Sequence, residues 1–431
     1  MIIWYFNHYA VFPEVDNPDR AYYVSREFLA HGHRVVVFSA SSHHLRRMPV
    51  EPSAVNRIQA HGEVEYICLP TRRYDGNNVH RLLNMRDFAR AIPGLAQMAS
   101  MNTMGKPDVI ISSSPHPFSF PATYRLAKTL GAAIIYEVRD LWPLELIHVA
   151  GLHLWHPLTF WMSRIERQAC RRADAVVSAL PGAIDHLQRQ GLDPARFVWI
   201  PNGVTAAEWK QPPEPLAAEH QREVDRIKKQ GKLLVVYAGA QGPPNALDQI
   251  LELNHLDTAD RPYHFILIGD GVNHEELKAR VCREKIGFVS FFPRMSKSRV
   301  RSAILQADVC FIGWSNRGNY PQGISPKKLG DYFMAAKPVI HAVSAKNDPV
   351  AEAGAGISVA PCAPGPLDRA LRMLSNMGAE EREEIGLRGK LYALAHLEWS
   401  MLGKRYIALC ETLIGQHRSP GSRRKNRGQS R

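Results

Sequence analysis

NYPQGISPKKLGDYFMAAKPVI, Asn319 to Ile340, is the stretch on which the reading of this chain turns. A Gly-containing loop, Tyr320 to Ile324, meets a helix start with Ser325 as N-cap and Pro326 at the first helical position. The pattern predicts a helix from Pro326 to Ala336 and, after Lys337-Pro338, an apolar strand over Pro338 to Val343. A helix N-terminus offers unpaired N–H groups and a positive dipole end, which suit an anion. Lys327 and Lys328 occupy the first turn, where the dipole disfavours cations, and an arriving phosphate would relieve that conflict. Asp331, one turn on, could accept hydrogen bonds from a ribose diol. The same residues also read as a solvated lysine pair on a surface helix.

Working back along the second half, two further glycine-bearing turns follow apolar runs. One is Ala238-Gly239-Ala240-Gln241-Gly242 after LLVVY; the other is Gly269-Asp270-Gly271 after HFILI. Glycine lets backbone amides approach a phosphate, and it also serves any sharp strand-to-helix turn. With Gly323 the turns should share one edge of one sheet, which points to a nucleotide site. The first turn matches neither the dinucleotide fingerprint nor the P-loop, which disfavours simple NAD or ATP binding.

The pattern around them alternates. Strands are expected at Leu233 to Ala238, His264 to Gly269, Val289 to Phe292 and Val309 to Ile312, with helices between. The first half repeats the arrangement. Strand-like runs lie at Met1 to Asn7, Arg34 to Ser39, Val64 to Leu69, Asp108 to Ser112, Ala132 to Val138, Ala173 to Ala179 and Phe197 to Ile200. Helices are expected at Arg20 to His31, Asn84 to Met101, Pro121 to Leu130, Trp155 to Arg172 and Gly182 to Gln190. Such alternation predicts an α/β fold with two Rossmann-like doubly wound sheets and a ligand cleft at the carboxyl ends of the strands. The expected divisions are 1–205, a linker or surface helix over 206–232, 233–395, a C-terminal helix over 396–416 that returns to the first domain, and a disordered basic tail over 417–431.

A net charge of +13 favours nucleic acid, an anionic membrane surface or phosphorylated substrates. Nucleic acid is disfavoured because no reading motif or interleaved aromatic pattern accompanies the charge. The six cysteines lie far apart with no metal-ligand or redox spacing, which fits a reducing cytosol. No signal peptide or uninterrupted transmembrane run is expected. Leu146 to Met162 comes nearest, but His148, His153, His156 and Pro157 interrupt it. It reads as a core helix with its approach loop, or as an interfacial segment through Trp155, Phe160 and Trp161. The histidines have no acidic or Cys partner at metal-binding spacing, so no metal is expected.

Several motifs, taken in order, resemble a known family. IPNGV (Ile200 to Val204), the turn at Gly239, IGDG (Ile268 to Gly271), ADVCFI (Ala307 to Ile312) and SPKKLGDYFMAAKPVI (Ser325 to Ile340) are similar to the GT-B glycosyltransferases of family 4. NHYA (Asn7 to Ala10), GHRVVVFSAS (Gly32 to Ser41), EVRDLWP (Glu137 to Pro143) and ERQACRRADAVVSALP (Glu166 to Pro181) resemble its fucosamine-transferase-like branch, which serves bacterial surface polysaccharides. The resemblance spans roughly residues 1 to 415, and its specific parts are EVRDLWP and the helix-strand signature ending in KPVI.

The resemblance implies roles. Asp331 ends the family's Glu-x(7)-Glu pattern and looks like the ribose-binding carboxylate. The first Glu of that pattern falls on Gly323, where backbone amides of Gly323, Ile324 and Ser325 would have to substitute. Lys328 matches the branch's phosphate lysine, and Arg294 after FVSFFP is a second diphosphate candidate. The donor set implied is Gly239, Gln241, Gly242, Gly269, Asp270, Gly271, Arg294, Gly323, Ile324, Ser325, Lys328 and Asp331. The family's Arg/Lys pair after the first Gly-rich turn is missing, since the turn reads QGPPNALD here. In the first half a catalytic His normally follows the DVI strand. Here a serine holds that place and His116 lies three residues later, either as a contact to substrate or as a turn residue between two prolines. Asp140 could orient or deprotonate the acceptor hydroxyl, or merely cap the next turn. Arg139, beside it, and Arg20 are candidates on the acceptor or phosphate side, Arg20 reading equally as the start of a solvated helix.

The implied activity is a retaining, metal-independent transfer of a sugar from a UDP-sugar to a lipid-diphosphate-linked saccharide at the inner membrane surface, in the cytoplasm. No cofactor is expected. A sugar-nucleotide epimerase and a non-catalytic GT-B scaffold subunit are the rival readings; the epimerase lacks evident acid/base carboxylates.

Overall fold

The computed structural model describes all residues except 15–17, 47, 49, 77, 101–103, 149–150, 154, 259, 316–319 and 419–431. The start of the opening stretch, part of the loop after the first strand and all but the first two residues of the basic tail therefore lie outside the described residues. The chain divides into two units. The first comprises residues 1–201 with the C-terminal stretch from Trp399, and the second is Asn202–Glu398.

In the first unit the strands are β1 (Ile2–Asn7), β2 (Arg34–Ala40), β3 (Ile58–His61), β4 (Val64–Leu69), β5 (Val109–Ser113), β6 (Ala133–Val138), β7 (Ala175–Ser178) and β8 (Phe197–Trp199). They form one sheet in the order β3-β4-β2-β1-β5-β6-β7-β8. All pairings are parallel except β3 with β4. Both faces of the sheet are covered, so the central strands are near-continuous apolar runs rather than alternating ones. Trp4, Phe6 and Phe38 pack on one face, while Ile3, Tyr5 and Val37 pack on the other. The Trp399–Arg418 helix closes the second face with Trp399, Leu402, Tyr406 and Cys410.

Two local features depart from expectation. The Ile58–His61 strand was not expected, because its residues are only partly buried and carry little apolar signal. The Asn84 to Met101 helix is interrupted. It runs Val79–Ala91, passes through a 3-10 turn at Ile92–Gly94 and resumes at Leu95–Ser100. Pro93 lacks the N–H that an unbroken helix requires and its ring crowds the preceding turn.

Arg20 is a correction. It is fully buried, neither a phosphate contact nor a solvated residue. Its Nε donates to Glu137 Oε1 at 2.9 Å, and Nη1 and Nη2 donate to the carbonyls of Pro201 and Ile200. Glu137 also accepts from Tyr5, Ser113 and Tyr406. Burial raises the Glu137 carboxyl, but Arg20 and the hydrogen bonds from Tyr5 and Ser113 outweigh it, and the net shift is downward.

The second unit holds β9 (Leu233–Ala238), β10 (Tyr263–Ile268), β11 (Val289–Phe292), β12 (Val309–Gly313), β13 (Val339–Ala342) and β14 (Gly356–Val359). Their order is β11-β10-β9-β12-β13-β14, all parallel. The 206–232 stretch contains two helices separated by a non-helical segment. Ala206–Lys210 and Ala218–Lys229 are helices, and Val224 and Ile227 pack into the core of this unit beside Leu234 and Val236.

In each sheet two neighbouring strands send the chain in opposite directions along the sheet: β1 and β5 in the first, β9 and β12 in the second. With right-handed crossovers their following helices lie on opposite faces, which opens a crevice at the strand ends.

Arg20→Ala leaves the buried Glu137 uncompensated and should cost roughly 3–5 kcal/mol of first-unit stability. Urea unfolding followed by near-ultraviolet dichroism measures it; a loss below about 1 kcal/mol would mean that the pair is dispensable.

Candidate functional site

The switch point of the second unit is built around Lys328. The helix carrying it begins at Lys327 rather than Pro326 and ends at Met334, with Ala336 in the left-handed region (φ 51°). Ser325 is not its side-chain cap. The Ser325 hydroxyl accepts from the backbone N–H of Asn202 at 2.9 Å, and its carbonyl accepts from the Asn202 side chain at 2.7 Å. The IPNGV motif thus acts as a latch on the loop before the helix. Deeper in, Tyr332 Oη accepts from the N–H of Ala238 at the end of β9. Gly330 gives close approach to Val204, since a Cβ there would lie 2.4 Å from Val204 Cγ1.

These anchors bring Lys328 over the end of β9. Its Nζ donates to Tyr237 Oη and to Asn245 Oδ1, both at 2.9 Å, and lies 4.2 Å from the Tyr237 ring centre. Tyr237 Oη in turn donates to Ala240 O. Among the described residues no carboxylate shares in this arrangement, and burial pushes the ammonium down to about 7. A Cβ on Gly239 would sit 3.0 Å from Nζ, so Gly239 leaves room for the lysine head.

The other donor candidates divide. Gly269 (φ 129°) and Gly271 (φ 154°) serve the packing of one turn on another: a Cβ would meet Gly239 O at 2.2 Å and Gln241 O at 2.4 Å. The Gln241 N–H donates to Asp270 O at 2.7 Å. Gln241 itself is buried, its Nε2 bonded to Gly269 O and its Oε1 to His274 Nδ1, so its side chain is a structural latch rather than a ligand contact. Gly242 is extended and opens the Pro243–Asn245 turn. Gly323 adopts φ 79°, and its N–H is committed to Tyr320 O; the Ile324 N–H is committed to Asn347 Oδ1. Those two amides do not substitute for the missing carboxylate. Asp331 lies one turn beyond Lys328 and is pushed up by burial, with Lys297, Glu208, Arg301 and Lys327 as its charged neighbours. Arg294 is exposed after β11, the edge strand, two strands away from β9.

At the switch point of the first unit, His8 follows β1 and His116 follows β5. His116 is buried, and its Nε2 lies 2.5 Å from His8 Nδ1. His8 Nε2 lies 2.7 Å from Asn84 Oδ1. Burial lowers His8 to about 3 and holds His116 well below the usual imidazole range, so both rings are neutral. Tyr9, Phe118 and Trp142 surround His116 with ring centres 5.6–6.3 Å away. Asp140 is exposed in the turn before the Trp142–His148 helix, and the backbone N–H of Arg139 donates to Ser114 Oγ at 2.8 Å. Sequence reasoning gave no role of their own to His8, Asn84, Tyr237 and Asn245. His8 alone carried a signal, a polar residue directly after a buried strand.

Residues 19–203 match the family model of the Glycosyl transferase 4-like domain. Comparison with the curated proteins returns no match. Among solved structures, sucrose-phosphate synthase from Thermosynechococcus elongatus aligns at TM-score 0.73 and 16% identity, covering 96% of this chain and 100% of that one. The fold is GT-B. WaaG, a glycosyltransferase involved in lipopolysaccharide biosynthesis, aligns at TM-score 0.64 and 16% identity over 94% of this chain and 98% of its own. Anabaena HepE, solved with UDP and glucose, aligns at 0.64 and 11% identity over 96% and 100%. These likenesses carry the GT-B fold to the whole chain, and the family match covers most of the first unit.

Gly269→Ala should destabilise the second unit by at least the ~1–3 kcal/mol of a strained backbone position. Gly242→Ala, where a Cβ has no neighbour nearer than 3.8 Å, should change it by under about 0.5 kcal/mol. Paired thermal melts check the contrast; equal effects would mean that the turns are not in close contact.

Proposed function

We propose that this protein is a glycosyltransferase taking a sugar from a nucleoside diphosphate donor, UDP first among them, and passing it to a lipid-diphosphate-linked saccharide at a membrane surface with retention of configuration. The observation that carries the reading is Lys328. A half-buried ammonium with no carboxylate beside it, at a helix N-terminus and over a glycine turn, is incomplete without an anion. A departing diphosphate supplies one. The ammonium and helix dipole then stabilise charge that grows as the sugar–phosphate bond breaks. Asp331 is the proposed ribose contact. The protein provides position and electrostatics, and in this reading no nucleophilic side chain and no metal is used. The choice of UDP draws support from HepE, whose structure contains UDP and glucose.

Membrane proximity is supported by the Pro157–Arg172 helix. Its exposed side presents Phe160, Trp161, Arg164, Arg167 and Arg171, with exposed Trp155 just before it. Glu166 turns inward to pair with His186, leaving no acid on that face. Aromatic and basic residues together suit an anionic lipid interface. Among the described residues no helix is long and apolar enough to cross a membrane. A non-catalytic scaffold is the second reading, favoured by the committed amides at Gly323 and Ile324 in place of a carboxylate; nucleotide binding without turnover on any acceptor would select it.

Calorimetry with UDP, GDP and ADP tests the donor site. Lys328→Ala should weaken binding by about 1.5–3 kcal/mol, the range for a charged hydrogen bond. Unchanged affinity would remove Lys328 from the site.

The free lysine titrates near 7 and a bound diphosphate raises it, so binding takes up protons. Affinity should therefore fall as pH rises from 7 to 9 in the wild type and stay flat in Lys328→Ala. A flat wild-type profile would contradict the assignment. Without nucleotide the sign reverses: the folded value lies below the unfolded one, so this group's contribution to stability improves as pH rises from about 7 towards 10.

A further inference from the structure

Asn84 fixes a chain of hydrogen bonds that ends on one bare nitrogen. Its Nδ2 lies 2.9 Å from Ser42 O and 2.5 Å from Arg72 O. Both are carbonyl acceptors, so the NH2 group must face them and Oδ1 must face His8. His8 Nε2 then carries the hydrogen that it donates to Asn84 Oδ1. In a neutral ring this leaves Nδ1 as a lone pair, which can only accept from His116 Nε2. His116 in turn has its hydrogen on Nε2 and a lone pair on Nδ1. That Nδ1 is buried and has no hydrogen-bond partner.

A neutral acceptor buried without a partner costs free energy. Here it sits at the strand ends of a switch point, where α/β sheets receive ligands. Three aromatic rings surround it. The Arg81 guanidinium lies over the Tyr9 and Trp142 rings and repels a cation, and the lone pair offers an anion no hydrogen, whereas a sugar hydroxyl donates a hydrogen and its C–H faces pack on aromatic rings.

We infer that His8 and Asn84 are positioning residues that lock His116 in the tautomer whose free Nδ1 accepts a hydrogen bond from a sugar hydroxyl of the substrate. The inference rests on the glycosyltransferase reading for its ligand. The relay itself follows from the hydrogen-bond geometry together with the burial that keeps both rings neutral. His8 also stacks on Phe88 at 4.8 Å and on Tyr9 at 4.5 Å, which fixes the plane of the relay. His116 contacts substrate in this scheme, and the other two act through it.

Nitrogen-15 NMR of histidine-labelled full-length protein reads the tautomers directly, with His116→Asn and His8→Phe as assignment variants. Both rings should be neutral with hydrogen on Nε2, and His116 Nδ1 should show a bare lone pair. His8→Phe keeps the aromatic stacking and removes the acceptor, so His116 should lose its single tautomer. If that variant fails to fold, Asn84→Leu should scramble both rings. Hydrogen on His116 Nδ1 in the wild type would overturn the proposal.

UDP, UDP-glucose and UDP-N-acetylglucosamine are then titrated. Movement of the His116 Nδ1 signal with a UDP-sugar but not with UDP assigns the hydroxyl to the donor; movement only when glucose or lactose is added to the UDP complex assigns it to the acceptor. UDP affinity in His8→Phe should stay within about twofold of wild type, as expected where uniform binding is untouched. If UDP binds and no sugar moves Nδ1, this inference fails alone. If UDP does not bind, the donor reading fails and the sugar role of His116 falls with it.

Discussion

A parallel sheet covered on both faces leaves its strands almost nowhere to place polar groups except at their ends. The constraint governs both units. Along β1 the side chains of Ile3, Trp4, Tyr5 and Phe6 are all buried, and polarity begins at Asn7 and His8. Along β9 the run Leu233 to Tyr237 is buried, and Gly239 opens the turn. The carboxyl ends therefore collect the groups that the cores refuse. Where neighbouring strands also part company, those groups face a crevice instead of a covering helix.

The two switch points collect opposite kinds of group. In the second unit Lys328 is a cation held by neutral partners, a phenol and an amide, and its burial has no compensating charge. In the first unit His8 and His116 are neutral rings whose hydrogens are directed by Asn84. One arrangement suits a diphosphate, the other a hydroxyl.

Much of the fold was legible because near-continuous apolar runs separated by helical patterns have few solutions. The failures have local causes. The edge strand Ile58–His61 and the partly buried β14 carry little apolar signal, and the bend at Pro93 was hidden inside an amphipathic run. The site was less legible than the fold. Lys328 stood out because a lysine in a first helical turn opposes the dipole. Gln241 and Gly271 also stood out, and in the fold each packs on the other's turn. Hydrogen-bond partners separated by tens of residues, such as Asn84 with His8 or Asn202 with Ser325, leave no trace in spacing.

Arg20 and Lys328 show what spacing cannot supply. Both are basic residues near the start of helices that follow a buried strand, and both invited the same phosphate reading. Arg20 proves to be saturated by Glu137 and two carbonyls, with its plane set over Trp399. The guanidinium's rigid fork suits such a fixed, fully bonded position. Among the described residues Lys328 donates to the neutral oxygens of Tyr237 and Asn245, and a compact ammonium on a flexible stem can turn from Tyr237 towards an arriving anion without leaving a buried acid behind. The two cations differ in whether the fold has already supplied the counter-charge, and that becomes visible only when the partner strands are in place.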